Sequence, residues 1–175
     1  MNIKAYSSKI KNFFSSSDKE DKKLKSDISI SKTSSTPKTI LVIFPLDQNF
    51  FRVASYSYRN LPYDRRMIEF HYIINNNFSD SFSLRRGAIY KMNLDSKFNI
   101  INKSSLLSDL NKINFDVIID LNIHYQEKLE DFIIQQSNYK IGFKHKKSDF
   151  LYNVQLDISK TQIAENGYQK ILDLI

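Results

Sequence analysis

The nine residues Asn114-Phe-Asp-Val-Ile-Ile-Asp-Leu-Asn122 decide the fold of this chain. Five of them are apolar, and Val117, Ile118 and Ile119 follow one another without a polar interruption. A short run rich in β-branched residues is typical of a strand buried on both faces, as in a parallel sheet covered by helices. Asp120 and Asn122 come at its carboxyl end, where open α/β sheets form their ligand crevices. The stretch therefore predicts a central strand that delivers polar groups to a binding edge.

Similar apolar runs recur on both sides of this strand and alternate with segments of helical periodicity. The further predicted strands are 39–44, 68–74, 88–92, 139–143 and 152–158. The predicted helices are 48–61, a short one over 78–86 closed by Gly87, 104–113, 125–137 and 161–174. Residues 98–101 fit either a small strand or a loop. The alternation predicts an α/β fold, a Rossmann-like three-layer sandwich with a mostly parallel sheet.

The first part of the chain differs in composition from the rest and is predicted to be a flexible N-terminal tail. Residues 1–39 hold nine lysines against four acidic residues, so +5 of the net charge of +7 lies there. We assign 1–37 to a basic tail and linker, with a disordered, Ser- and Lys-rich stretch over 15–38. At 2–14 the spacing fits a short amphipathic helix for a membrane surface or a partner, or a helix that frays in water. Residues 38–175 are the predicted Rossmann-like domain.

Several classes of function are disfavoured by the composition. The chain has no cysteine, its three histidines lie far apart, and its three glycines form no phosphate-binding cluster. We therefore expect no metal site and no cofactor. The remainder of the chain has 17 basic and 15 acidic residues, so it lacks the basic face of a nucleic-acid-binding protein. Neither a membrane-spanning run nor a signal peptide is visible, so we expect a cytoplasmic location, peripheral at the inner membrane if the tail binds there.

Three segments, taken together, resemble glycosyltransferase family 9, the family of the lipopolysaccharide heptosyltransferases. They are Phe115–Asn122, Tyr139–Phe143 and Phe150–Asn153. The N-terminal domain of the family carries a "yDlvIDl" strand, a helix and an "riGf" strand in this order and at this spacing. Ile40–Ile43, followed by a helix, is similar to the first βα unit of the family. The resemblance covers about residues 38–175.

The resemblance implies one half of a GT-B enzyme, in which two Rossmann-like domains face each other across a cleft. The N-terminal domain receives the acceptor sugar, and the other domain holds the nucleotide-sugar donor. We expect an acceptor-side domain related to cell-envelope sugar transfer that is inactive alone and needs a donor-domain partner for hexosyl or heptosyl transfer. The alternative is a non-catalytic Rossmann-like module for binding or assembly, tethered by its basic tail.

Asp47 is the best positional match to the proposed general base of the family, an Asp in a Gly-Asp motif after the first strand. Leu46 stands in place of the glycine. A carboxylate at the tip of a buried strand is able to accept a proton from a bound hydroxyl. Asp47 also fits a simpler function, the N-cap of the helix that follows. Both interpretations stay open at this stage.

Asp120, Asn122 and His124 are the candidate substrate-binding residues, because they follow the central strand. Asp120 would equally suit hydrogen bonds to the backbone amides of the next turn. The basic loop Lys144–Lys147 would meet phosphates of an acceptor or a membrane surface, or stay solvated.

Overall fold

Strand β4, Phe115–Asp120, lies where the deciding stretch predicts it, inside a six-stranded sheet. The computed structural model describes residues 37–61, 67–82, 86–135, 137–159 and 163–175. The other strands are β1 Thr39–Ile43, β2 Glu69–Asn75, β3 Ala88–Met92, β5 Ser137–Phe143 and β6 Val154–Leu156. The α-helices are α1 Gln48–Tyr58, α2 Lys103–Leu110, α3 Glu130–Ile133, α4 Ser148–Leu151 and α5 Ala164–Leu174. Short 3-10 helices cover Asn76–Ser81 and Glu127–Leu129.

The strand order is β3-β2-β1-β4-β5-β6, and every neighbouring pair is parallel. This confirms the predicted Rossmann-like α/β fold. The chain builds outward from β1 to β3 and then returns to place β4 on the other side of β1. The topological switch point therefore lies between β1 and β4, where Ile43 is opposite Asp120. Ligand crevices of open α/β sheets form at this point, outside the carboxyl ends of the strands.

The two faces of the sheet bury different side chains, because successive residues of a strand point to opposite sides. Leu41 and Ile43 of β1 belong to a mainly aliphatic core. This core also contains Leu106, Leu110, Leu129, Phe132 and Ile133 from the helical segments. Phe44 points the other way and packs edge-on against Tyr58 and Tyr72, with ring centroids 6.0 and 6.1 Å away. Burial on both faces explains why β1 and β4 read as continuous apolar runs.

The structure corrects the extent of several predicted helices. The helix predicted over 125–137 is only a 3-10 turn and the single turn α3, because β5 begins at Ser137 to pair with Phe115. The hydroxyl of Ser137 also donates to the carbonyl oxygen of Asp116, 3.0 Å away. Leu129, Phe132 and Ile133 of this connection are still buried, whereas Ile134 is exposed. The helix predicted over 48–61 ends at Tyr58.

Other connections also differ from expectation. Helix α4 was not predicted, and it lies directly before the segment expected to be extended over 152–158, of which only Val154–Leu156 form a strand. Residues 98–101 are a loop with one isolated bridge, Leu94 to Ile100. Asp95 organises this loop by accepting the backbone amides of Lys97 and Asn99, each at 2.8 Å. The helix expected over 78–86 is replaced, where it is described, by the 3-10 helix.

Some predictions fall outside the described residues. These are the helix at 2–14, most of the linker over 15–38, the helix end at Pro62 and residues 83–85. Within the described ranges, no helix has the length and apolarity needed to cross a membrane.

Candidate functional site

The carboxyl ends of β1 and β4 are joined by a buried polar network centred on Asp120 and Asn122. Asp120 is 2% exposed and Asn122 is 4% exposed. One carboxylate oxygen of Asp120 accepts both the backbone amide of Asn122, at 2.9 Å, and its side-chain amide, at 2.7 Å. The oxygen of the Asn122 side chain accepts the backbone amide of Leu46, at 2.9 Å. Two of the predicted site residues therefore lie together at the switch point and bind protein groups there.

The second carboxylate oxygen of Asp120 is also occupied. It accepts the hydroxyl of Tyr152 at 2.7 Å. Burial raises the pKa of the Asp120 carboxyl, and the hydrogen bonds from Asn122 and Tyr152 act in the opposite direction. Burial, together with the nearby Asp120 carboxylate, raises the pKa of the Tyr152 phenol, so the phenol stays protonated and donates. The interpretation of Asp120 as a partner of the following turn agrees with these contacts, and direct substrate binding stays a prediction.

Asp47 caps helix α1. Its backbone is extended, and its carboxylate accepts the backbone amides of Asn49 and Phe50, at 2.8 and 3.1 Å. These are two of the amides that an α-helix leaves unpaired at its amino end. Asp47 is exposed, in contrast to Asp120, so its carboxylate remains accessible to a ligand. The N-cap interpretation is confirmed, and the role as a base is untested by this geometry.

His124 follows β4 and lies at the same edge of the sheet as Asp47, which follows β1. It is exposed, and its ring meets Phe50 edge-on with centroids 5.7 Å apart. Phe50 is in the first turn of α1, which is the turn that Asp47 caps. The structure therefore brings His124 near the amino end of α1. The side chains of Asp47, Phe50 and His124 therefore form a rim at the edge of the sheet where β1 and β4 end.

The sequence interpretation missed a second polar cluster at this edge, which joins the β4–β5 and β5–β6 connections. The hydroxyl of Tyr125 donates to Glu130, and the ammonium group of Lys147 donates to the same hydroxyl at 2.9 Å. The hydrogen bond with Tyr125 lowers the pKa of Glu130 and raises that of Lys147. Tyr125 and Lys147 are 22 residues apart, and neither lies in a spacing that would have signalled this contact.

His145 packs between Tyr125 and Tyr152, at ring-centroid distances of 5.1 and 5.6 Å. Its Nδ1 accepts the backbone amide of Lys147 at 3.2 Å. Its Nε2 is buried and has no hydrogen-bond partner within the described part of the chain. Burial lowers the pKa of this imidazole. His145 thus links the surface cluster to the tyrosine that holds Asp120.

The basic loop Lys144–Lys147 is partly neutralised by acidic neighbours. Lys144 pairs with Asp157 at 3.3 Å, and Lys147 pairs with Glu130 at 3.5 Å. Exposed ion pairs of this kind contribute little to stability, but they reduce the positive potential of the loop. Lys146 stays exposed, and phosphate binding by this loop stays a prediction.

The amino end of α1 differs from that of a phosphate-binding helix, because two of its amides already have a partner. In dinucleotide-binding Rossmann folds, the first helix receives the pyrophosphate on its free amides. Here the carboxylate of Asp47 occupies two of those amides, and its charge would repel a phosphate. No group of three potential metal ligands occurs among the residues that the structure describes. An exposed carboxylate such as that of Asp47 is able to bind and polarise a hydroxyl group.

A cavity of about 280 Å³ lies away from this edge, at the ends of α1 and α5. It is lined by Ser57, Arg59, Asn60, Leu61, Gln169, Leu172 and Asp173. Parallel strands place chemistry at their carboxyl ends, whereas this cavity adjoins the last turns of the returning helices. The switch point, and not this cavity, is therefore the candidate functional site.

Comparisons with known proteins support the fold. No protein-family model matches the sequence, and no curated protein does so either. Among solved structures, the chain is similar to E. coli heptosyltransferase WaaC with ADP-2-deoxy-2-fluoro heptose, at a TM-score of 0.53 and 14% identity. The match covers 76% of this chain and 46% of that chain. E. coli heptosyltransferase WaaC with ADP gives a TM-score of 0.54 at 15% identity, over 75% and 45% of the two chains.

The fold is thus glycosyltransferase-like. At this level of identity the likeness concerns the fold alone. The chain spans less than half the length of the two structures it matches. One Rossmann-like unit is present in the described residues, whose sheet edge carries the site described above.

Proposed function

We propose that this chain is the acceptor-side domain of a glycosyltransferase of family 9 type, with Asp47 as the group that meets the acceptor hydroxyl. The observation that carries the proposal is the exposed carboxylate of Asp47 at the β1–β4 switch point of a heptosyltransferase-like Rossmann unit. Three sequence motifs that resemble the family lie in β4 and the turn after it, in β5, and in the end of α4 with the turn that follows. The fold and the motifs support the proposed ancestry, and the proposed chemistry rests on Asp47.

In this proposal Asp47 is the base for the acceptor hydroxyl and His124 is a second contact on the rim. The carboxylate would accept the proton as the hydroxyl oxygen attacks the anomeric carbon of a nucleotide-sugar donor, while the bond from that carbon to the diphosphate breaks and the nucleoside diphosphate leaves. Asp120 and Asn122 would support the site without contacting the acceptor, since their polar atoms already bind protein groups. Transfer also needs a second unit that holds the nucleotide-sugar, on the same polypeptide or on a partner, because positioning of the two reactants supplies much of the rate.

Calorimetric titration of the chain with a methyl heptoside and, separately, with ADP tests the proposal. We expect the sugar to bind and ADP not to bind, because the amino end of α1 is capped by Asp47 and the other described residues form no phosphate loop. Asp47→Asn should weaken sugar binding, and Asp80→Asn, an exposed substitution in the 3-10 helix, is the matched control. Binding of ADP with no binding of the sugar would contradict an acceptor-side role.

A non-catalytic module is the second candidate, favoured by one feature. All polar side-chain atoms of Asp120 and Asn122 are engaged within the protein, which is typical of a structural network. In this alternative the basic tail tethers the domain to a membrane surface or a partner. Sedimentation with anionic vesicles, at low and high salt, tests the tether by comparison of the full chain with a form lacking residues 1–36. Equal binding of the two forms would exclude the tether.

A further inference from the structure

Asn122 spans the gap between the carboxyl ends of β1 and β4. Its Oδ1 atom accepts the amide of Leu46 at 2.9 Å, and its Nδ2 atom donates to Asp120 at 2.7 Å. A longer contact of 3.5 Å joins Nδ2 to the carbonyl oxygen of Phe44. Leu46 and Asn122 are 76 residues apart in sequence. One side chain therefore ties the turn after β1 to the turn after β4.

We infer that Asn122 is a positioning residue, oriented by Asp120, which fixes the β1–α1 turn and with it the place of Asp47 at the edge of the sheet. The inference deepens the proposed function, and it rests on that function only for the role of Asp47 toward a ligand. The hold on the turn itself follows from the contacts alone.

The orientation of the Asn122 carboxamide is determined by its partners. The amide of Leu46 is a donor, so it requires the oxygen of the carboxamide, and the Asp120 carboxylate is an acceptor, so it requires the nitrogen. A flipped carboxamide would place its nitrogen, a donor, against the amide of Leu46, which is also a donor. It would place its oxygen, an acceptor, against the carboxylate of Asp120, which is also an acceptor. Tyr152 holds the second oxygen of Asp120 and fixes the plane of the carboxylate. The bond to Leu46 thus depends on Asp120.

Asp47 follows Leu46 directly and is held on its other side by α1. The amide of Leu46 is anchored to β4 through Asn122, whereas the carboxylate of Asp47 is bonded to the first turn of α1. Loss of Asn122 would leave the helix cap intact and would free the turn from the sheet. We therefore expect a local effect on the position of Asp47 rather than loss of the fold.

Stability at neutral pH does not account for the buried carboxylate. Burial raises the pKa of Asp120 above its ordinary value of 3.8. A raised pKa in the folded state means that the favourable contribution of this group is complete below 3.8 and is lost as the pH rises through the folded value. At neutral pH the ionised side chain is thus less favourable in the folded chain than in the unfolded one. The assignment of an orienting function to Asp120 rests on its hydrogen bonds to Asn122.

Amide hydrogen exchange in the full chain tests the hold on the turn. In Asn122→Ala we expect the amide of Leu46 to exchange roughly fivefold faster, because a single hydrogen bond contributes about 1 kcal/mol. Asn153→Ala is the matched control, since the side-chain oxygen of Asn153 also accepts a backbone amide, that of Lys140, at 2.9 Å. The control should speed exchange at Lys140 and leave Leu46 unchanged.

The conservative variant of Asp120 separates orientation from packing. Asp120→Asn keeps an oxygen that accepts the two donors of Asn122, whereas Asp120→Ala keeps none. We expect fast exchange at Leu46 in Asp120→Ala and near wild-type exchange in Asp120→Asn. This pair also keeps the inference testable if Asn122→Ala does not fold.

Titration with a methyl heptoside completes the experiment. The inference predicts that Asn122→Ala binds the sugar several-fold more weakly than wild type, whereas Asn153→Ala binds it equally well. Unchanged exchange at Leu46 in Asn122→Ala would overturn the inference, and so would faster exchange with unchanged sugar binding. If the wild-type chain binds no sugar, the proposed function fails, and the exchange at Leu46 alone decides whether Asn122 fixes the turn.

Discussion

Asp47 combines a structural and a proposed chemical function in one exposed carboxylate. Its oxygen pairs two amides at the amino end of α1 and places a negative charge where the helix dipole favours it. Sequence reasoning identified both functions, because an aspartate between a buried strand and a helical stripe fits either. The geometry establishes the cap, and the chemistry remains for experiment.

The helix cap formed by Asp47 should contribute measurably to the free energy of unfolding. We expect Asp47→Ala to lower the free energy of unfolding by about 1 kcal/mol, because two helix amides lose their acceptor. Denaturation by urea should show a lower midpoint with an unchanged slope. Asp80→Ala, an exposed substitution in the 3-10 helix, should change the free energy by less than about 0.5 kcal/mol. Equal midpoints for wild type and Asp47→Ala would show that the cap contributes nothing.

His145 is the residue whose environment the sequence revealed least. A histidine among three lysines predicts a solvated loop, yet its ring packs between Tyr125 and Tyr152. This contact depends on the meeting of two connections that are far apart in sequence. Burial lowers the pKa of His145, so the folded chain binds a proton here less tightly than the unfolded chain does.

His145 should therefore contribute to stability above its ordinary pKa of 6.5, and this contribution should be lost as the pH falls below that value toward the lowered folded pKa. In His145→Asn, the asparagine oxygen replaces Nδ1 as acceptor for the amide of Lys147. We expect unfolding free energies of wild type and variant to converge between pH 8 and pH 5, since only wild type takes up this proton. A difference that is independent of pH would contradict this account.

At the scale of elements, the strands were far more predictable than the short helices. Apolar runs such as that of β4 are dictated by burial on both faces, so the sequence alone locates them. The helices α3 and α4 have four residues each, which is shorter than the window needed to show helical periodicity. Their lengths are determined by the pairing of β5 with β4 and β6, which no local pattern records.

The contact between β5 and the turn after α4 depends on the lack of a side chain at Gly142. A Cβ atom there would lie 2.4 Å from the ring of Tyr152, whose hydroxyl holds Asp120. We expect Gly142→Ala to lower the free energy of unfolding by roughly 1–3 kcal/mol, because the ring must move. Urea denaturation measures this loss.

Tyr152→Phe is the companion variant for Gly142→Ala. It keeps the ring and removes only the hydroxyl, so it separates loss of the hydrogen bond to Asp120 from the steric effect. Gly142→Ala should be the more destabilising of the two. An unchanged urea midpoint for Gly142→Ala would show that the ring of Tyr152 moves without any loss of stability.

At the scale of the whole molecule, the strand order places β1 and β4 side by side and gives the sheet its switch point. The sequence predicted a parallel sheet and polar residues after its central strand, and the order of the strands came from the structure. Asp120 and Asn122 lie at the carboxyl ends of β4 and β1, as the sequence predicts, and ligand binding at this edge stays a prediction. Their complete pairing with Leu46 and Tyr152 depends on tertiary contacts that sequence spacing does not reveal.

The central claim, an acceptor-side glycosyltransferase-like domain that binds sugar at the β1–β4 switch point, is tested most directly by mapping amide chemical shifts. The full chain, labelled with ¹⁵N, is titrated with a methyl heptoside and in parallel with ADP. The account predicts that the sugar shifts the amides of Leu46–Phe50 and Asn122–Tyr125, and that ADP shifts none of them. Sugar-induced shifts confined to other parts of the chain, or ADP-induced shifts at the amino end of α1, would contradict it.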